Sequence, residues 1–238
     1  MPALIQLDKS PQALINHLKA LKTVRLGLRF EALVAYWLMI SPNYKLLSKN
    51  IQIIENGITL GEVDFIIEDL NSKKIIHLEV AVKFYLGTSP YENPYRWFGT
   101  NTKDQLGRKL DHLKHHQTQL GKKYNKHFQY EINEQHCLIK GRLFYPLGGG
   151  KPPNGVATNH LRGSWCYSNR MNNKDNLIPV SKLDWLAELS HSDIVDMNDF
   201  EKKSAHQAQC FVKIQNNEQE LKEEIRIFCL PDDFTFPK

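Results

Sequence analysis

The chain has 238 residues, 41% hydrophobic and 24% charged, an ordinary balance for a globular protein with length for one large core or two small ones. Its formal net charge of +5 fits a polyanionic partner without requiring one, because a modest lysine and arginine excess also serves solubility. No apolar run is long enough to span a membrane, no leader-like segment opens the chain, and Cys137, Cys166, Cys210 and Cys229 form no C-x-x-C pair, so the expectation is a cytoplasmic protein with ordinary thiols and no thiolate zinc site.

Ser10-Pro11 has the form of a helix cap with a first-turn proline, and Leu14, Ile15, Leu18 and Leu21 supply the apolar stripe behind it. Residues 25–40 (RLGLRFEALVAYWLMI) predict a second helix, apolar on nearly every side from Phe30 and stopped by Ser41-Pro42, which must be buried. Glu31 lies inside that run, where an unpaired charge is costly and calls for an arginine, water, a metal or a proton. An internal salt bridge to Arg25 or Arg29 and a functional role are both open.

Residues 44–54 read as a strand, and Asn56-Gly57 as a two-residue hairpin turn into the next. Two strand-like runs, 60–68 and 74–85, then flank a polar break and predict a second hairpin. With Asn71 and Ser72 as its loop, facing residues have numbers summing to 143, which sets Asp64 across from Glu79. Directly paired residues have Cβ atoms about 4.5–5.5 Å apart. Two carboxylates that close repel each other at low dielectric unless a proton or cation intervenes, and a divalent metal would relieve that cost. Alternation places Ile76, Leu78, Val80, Val82 and Phe84 on one face of the last strand and His77, Glu79, Ala81 and Lys83 on the other. Glu62 shares the Asp64 face, where a solvated strand charge is its simpler reading.

Residues 87–100 (GTSPYENPYRWFGT) predict a loop whose Tyr91, Tyr95, Arg96 and Trp97 either contact a base or sugar or pack over the core. Residues 101–120 predict a helix with Leu106, Leu110, Leu113 and Leu120 inward and Lys103, Arg108, Lys109 and Lys114 outward, Gln105 lying beside the stripe. His112 and His116 have the spacing of a helical metal pair but no H-E-x-x-H pattern, so a solvated basic face is expected. Residues 137–145 read as a strand, and the Gly148-Gly149-Gly150-Lys151 run, followed by Pro152-Pro153, as a surface loop rather than a P-loop. Beyond it come a strand at 161–167, a polar loop at 168–176, a helix start at Ser181 and Asp184, and two strands, 208–214 and 224–230, joined through Asn216-Asn217. Residues 1–135 are therefore expected to form a core and 136–238 a further strand and a small α+β extension packed with it as one unit.

The order and wording of RLGLRFE, GEVDF and LEVAVKFYL resemble the PD-(D/E)XK, or restriction-endonuclease-like, nuclease superfamily, and within it a bacterial family of unknown function. The likeness covers roughly residues 20–120. It implies an α/β (α+β) fold with an α-β-β-β-α-β core and a mixed central sheet, and a nuclease that hydrolyses phosphodiester bonds of DNA or RNA with Mg²⁺ or Mn²⁺. By the same likeness Asp64 and Glu79 would hold the metal, Glu31 would assist, Lys83 would handle water or transition-state charge, and Gln105 would border the site. Arg96, Lys103, Arg108 and Lys109 would contact nucleic acid. One position departs from the superfamily pattern, since Ala81 stands where the lysine belongs. Lys83 lies two residues on, on the same face, about 7 Å farther along the strand. A catalytically silent nucleic-acid-binding or protein-interaction domain is the alternative.

Overall fold

In the computed structural model, residues 2–171, 177–189, 191, 193, 207–217 and 220–237 are described. The chain runs through α1 (Pro2–Lys9), α2 (Gln12–Lys19), α3 (Leu26–Ile40), β1 (Tyr44–Glu55), β2 (Ile58–Asp69), β3 (Ile75–Gly87) and β4 (Trp97–Phe98). There follow α4 (Leu106–His112), a π-helical turn (Leu113–Gln117), α5 (Thr118–Lys123), β5 (Glu134–Pro146), β6 (Leu161–Tyr167), β7 (Leu177–Pro179), β8 (Gln209–Asn217) and β9 (Glu220–Leu230). This is an α+β chain with mixed strand pairing. It divides into two compact units, Met1–Val82 with Leu110–Lys140 and Lys83–Lys109 with Gly141–Lys238. One crossing between the units falls at Lys140 and Gly141. The other two crossings fall inside β3 and α4, where no change of composition marks them.

In the first unit, Asn56 (φ 51°) and Gly57 (φ 75°) supply the two left-handed residues that a type I′ turn needs, and Glu55 pairs with Ile58 around them. The β2–β3 hairpin pairs Phe65 with Leu78, Ile66 with His77, Ile67 with Ile76 and Glu68 with Ile75, the register that the sum of 143 predicts. Its loop is wider than two residues: Asp69 N–H donates to the Lys74 carbonyl, Lys73 sits at φ 61°, and Asp69 Oδ1 accepts from the N–H groups of Asn71 and Ser72. A longer loop about the same centre leaves the register unchanged. Helix α3 lays Val34, Ala35 and Leu38 against Phe65, Ile67, Ile76, Leu78 and Val80, which is why residues 25–40 are apolar on so many sides. A second cluster joins Ile53, Val63 and Ile66 to Leu120 and Ile132.

In the second unit, β5–β6 and β6–β9 pair in parallel, β8–β9 and β7–β8 antiparallel, and β4 pairs with the end of β3. Its core gathers Leu86, Phe144, Cys210, Phe228 and Leu230. Trp97 is wholly buried, donates to the Tyr91 carbonyl at 2.7 Å and meets Tyr145 edge-on, so it is a packing residue rather than a surface for bases. The helix expected from residue 101 begins at Leu106 instead. Asn101 Oδ1 takes the N–H groups of Lys103 and Asp104, and Thr102 stands at φ 58°, a conformation no α-helix contains. The helix expected after Ser181 is one tight turn, Lys182–Leu186. Residues 172–176 of the expected polar loop and 218–219 of the β8–β9 connection lie outside the described residues. No helix among the described residues is long and apolar enough to cross a membrane.

Candidate functional site

The β2–β3 ladder ends at the Phe65–Leu78 pair. One residue further, Asp64 Oδ2 accepts the Val80 N–H at 2.8 Å, so the carboxylate is laid on the Glu79–Val80 peptide where a backbone carbonyl would otherwise bond. Alternation along β2 is interrupted at this point, since Val63 packs with Ile66 while Phe65 packs in the other cluster, and the link between the two acids is electrostatic, the charge of Glu79 being felt at Asp64. Glu79 is 1% exposed. Its Oε1 lies 2.7 Å from His77 Nε2, while Oε2 finds no partner among the described residues. Glu31, half-buried on α3, is hydrogen-bonded by the Asn50 side chain and not by an arginine; Arg29 Nε donates to the Thr23 carbonyl. Among the described residues Glu31 forms no ion pair with Arg25 or Arg29, so the internal salt bridge is not made. Asn50 stands at φ 53° where the β1–β2 register passes from Lys49–Phe65 to Ile51–Val63, and asparagine tolerates that left-handed conformation better than other side chains.

Burial pushes the Asp64 carboxyl up to about 7, and the charge of Glu79 adds to the rise, followed by those of Glu31 and Glu62; the Val80 N–H works against it. Glu31 is also raised, by burial first and then by Glu62 and Glu79, with Asn50 opposing. These acids therefore share one field, and each makes ionisation of the next more costly. A proton or a cation relieves such a cluster, and a carboxyl that holds its proton near neutrality marks a place where a cation would be welcome. No group of three or more His, Cys, Asp or Glu side chains among the described residues is disposed to hold a metal ion. The oxygens that could meet a cation are Asp64 Oδ1 and Glu79 Oε2, each carboxylate having its other oxygen in a hydrogen bond. Such a pair suits Mg²⁺, which keeps several waters and takes one or two carboxylates, and does not suit zinc.

The remaining sequence candidates lie in the second unit. Lys83 Nζ is 2.5 Å from Asp104 Oδ2, and Tyr85 donates to Asp104 Oδ1 at 3.4 Å. Gln105 Nε2 donates to the Tyr95 carbonyl at 2.6 Å, and its Oε1 is buried without a partner among the described residues. Arg96 Nε donates to the Ser89 carbonyl, with the guanidinium over the Phe98 ring. Lys103 and Arg108 are exposed, and Lys109 is partly so. The structure brings Glu31, Asp64, Glu79 and Glu62 into one electrostatic group, and gives Lys83 an ion pair of its own with Asp104. Three contributors escaped the sequence reading. His77 interrupts an apolar strand run, a signal that was there to use, whereas Asn50 follows Ser48 and Lys49 in a polar stretch that singles out nothing. Nothing in the sequence joins Lys83 to Asp104. His112 and His116 stack at 4.8 Å and are both exposed.

Fold and site together define an α+β protein that holds a buried glutamate, Glu79, beside a half-buried aspartate, Asp64, where the β2–β3 ladder ends. The chain belongs to the family described as a domain of unknown function, DUF1853, whose profile matches residues 2–230. No curated protein and no solved structure matches it.

Proposed function

We propose that this protein is a metal-dependent nuclease of restriction-endonuclease-like architecture, in which Asp64 and Glu79 hold Mg²⁺ or Mn²⁺ and phosphodiester bonds of DNA or RNA are hydrolysed. The observation that carries this reading is the Asp64 carboxylate seated on the Glu79–Val80 peptide with one oxygen of each acid left for a ligand. The succession α3, β1, β2, β3, α4, β5, with the two-residue β4 before α4 and the short α5 after it, supports it as well, following the α-β-β-β-α-β order that the resemblance implies.

A bound divalent cation supplies charge compensation on the phosphate and a water that ionises near neutrality. The chain's own residues do the rest. Val80 N–H and His77 fix the outer oxygens of Asp64 and Glu79, so that the free oxygens keep one direction. Glu31, whose carboxyl is raised by burial and held by a hydrogen bond from Asn50, accepts the proton of the attacking water. Arg96, Lys103, Arg108 and Lys109 contact phosphates, which adds affinity without sequence preference. The silent nucleic-acid-binding reading is favoured by Ala81 at the usual lysine position and by the Lys83–Asp104 pair, which engages the lysine two residues further along the strand.

The test is cleavage of single- and double-stranded DNA and RNA with Mg²⁺ or Mn²⁺, alongside calorimetric titration of the metal. Metal-dependent cleavage abolished by chelation and by Glu79→Gln supports the nuclease. Salt-sensitive binding of nucleic acid without cleavage or metal binding supports the silent domain.

A further inference from the structure

His77 is wholly buried, 0% exposed, in the middle of an apolar strand. Its Nε2 meets Glu79 Oε1 at 2.7 Å, and its Nδ1 has no partner among the described residues. Gly121 of α5 explains how the ring is held: a Cβ at that position would lie 2.7 Å from His77 Nδ1 and 2.8 Å from Ile132 Cδ1. A side chain there would run into the Nδ1 edge of the ring, so glycine lets the helix close against the imidazole. With Nδ1 sealed against the helix and Nε2 on the carboxylate, neither nitrogen is available as a metal ligand. A proton on Nδ1 would be a buried donor with nothing to receive it, whereas a proton on Nε2 is given to Glu79.

We infer that His77 is a positioning residue that holds Glu79 in its ligating rotamer by donating Nε2–H to Oε1, with Gly121 as the wall that fixes the ring. The inference rests on the proposed carboxylate site and deepens it. Partners one step removed from a metal govern the direction and basicity of its ligands, and their loss costs about 10–100-fold in metal affinity. A glutamate side chain left to itself has several rotamers, and the hydrogen bond removes that freedom before the ligand arrives.

The experiment measures Mn²⁺ affinity of the full chain by calorimetry, with folding checked by thermal melting. His77→Leu keeps the volume and loses the donor, and is expected to bind about 10–100-fold more weakly. His77→Gln, whose amide nitrogen reaches the same place as Nε2, is expected to stay within about threefold of wild type. Gly121→Ala removes no polar group and improves local helix propensity, yet it is expected to weaken Mn²⁺ by displacing the ring. It is the variant that decides should His77→Leu fail to fold. Equal Mn²⁺ affinity in wild type, His77→Leu and Gly121→Ala overturns the positioning role while leaving the carboxylate site intact. Absence of Mn²⁺ binding in the wild type overturns the carboxylate reading, and the role falls with it. A metal-free check is the ¹⁵N spectrum of the imidazole: protonated Nε2 and bare Nδ1 are expected, and the opposite tautomer overturns the inference.

Discussion

Arg226 in the second unit and Glu79 in the first are equally buried, each 1% exposed, yet their surroundings differ in kind. The guanidinium of Arg226 is closed on every side. Nε and Nη2 donate to the two carboxylate oxygens of Glu223 at 2.7 and 2.9 Å, Nη1 to the Asp184 carbonyl at 2.9 Å, and Nη2 also to the Ala187 carbonyl. Glu223 takes the Leu189 N–H besides, and lies 3.6 Å from Arg142. Glu79 has the His77 ring on one oxygen, nothing on the other among the described residues, and like charges in its field. Buried polar atoms without partners occur in the second unit too, but there they belong to the uncharged Gln105 and Trp185. A charge that is buried and satisfied has its work done by folding. One that is buried and left open on an acid beside other acids is the feature on which the proposed cation site rests.

The comparison breaks most readily at Glu223. Its replacement by alanine strands the Arg226 guanidinium in the interior, and the expected cost is about 3–5 kcal/mol, read as a lower urea midpoint. A loss under about 1 kcal/mol would mean that the second unit tolerates open charge as well. Asp64→Asn and Glu79→Gln go the other way in stability, because removing one of two repelling acids costs the metal-free protein little and can raise its melting temperature. In the nuclease assay the same two variants are expected to lose at least about 100-fold in rate, worth about 2.7 kcal/mol of transition-state stabilisation. A variant that melts with wild type and cleaves with wild type would remove its carboxylate from the site.

A smaller effect appears in the pH dependence of folding. The Asp64 carboxyl sits at about 7 in the folded chain against an ordinary 3.8, so between those values the native state keeps a proton that the unfolded chain releases. Stability from this group is therefore fully present below about pH 4 and is lost as the pH rises towards 7. After allowance for solvent screening at a partly open site the loss is on the order of 2 kcal/mol. Asp64→Asn should flatten that window in pH-resolved melts, and saturating Mg²⁺ should flatten it in the wild type by holding the ionised form. A slope of the same size in Asp64→Asn would assign the titration to another group.

The acidic pair was legible because a hairpin's register depends only on the centre of its turn, and the polar break fixed that centre even though the loop proved wider. Buried helix α3 was legible for a similar reason, since its apolar character is written into one continuous run. Asn50 was not, because its aim at Glu31 comes from a single left-handed residue in β1 that no pattern of polarity encodes. The parallel pairing of β6 with β9, which brings Cys166 beside Cys229, was hidden as well: it joins strands far apart in the chain, and no local signal selects the partner. The start of α4 moved because one Asx turn, formed by Asn101, outweighed a favourable helical stripe.

The smallest expected effect tests Lys83. Its ion pair with Asp104 is partly exposed, 30% and 34%, so Lys83→Ala should change stability by no more than about 1 kcal/mol. Two roles for the lysine then give different results with Asp104→Asn. If Lys83 is only the partner of Asp104, both variants lose the same small stability and neither alters cleavage or metal affinity. If Lys83 serves the reaction, Lys83→Ala slows turnover while metal affinity holds, and Asp104→Asn, which releases the ammonium, leaves turnover unchanged or raises it. Equal slowing by both variants would point to a third arrangement, in which Asp104 must hold the lysine in place and the ion pair itself is the functional unit; a double variant no slower than either single one would identify it.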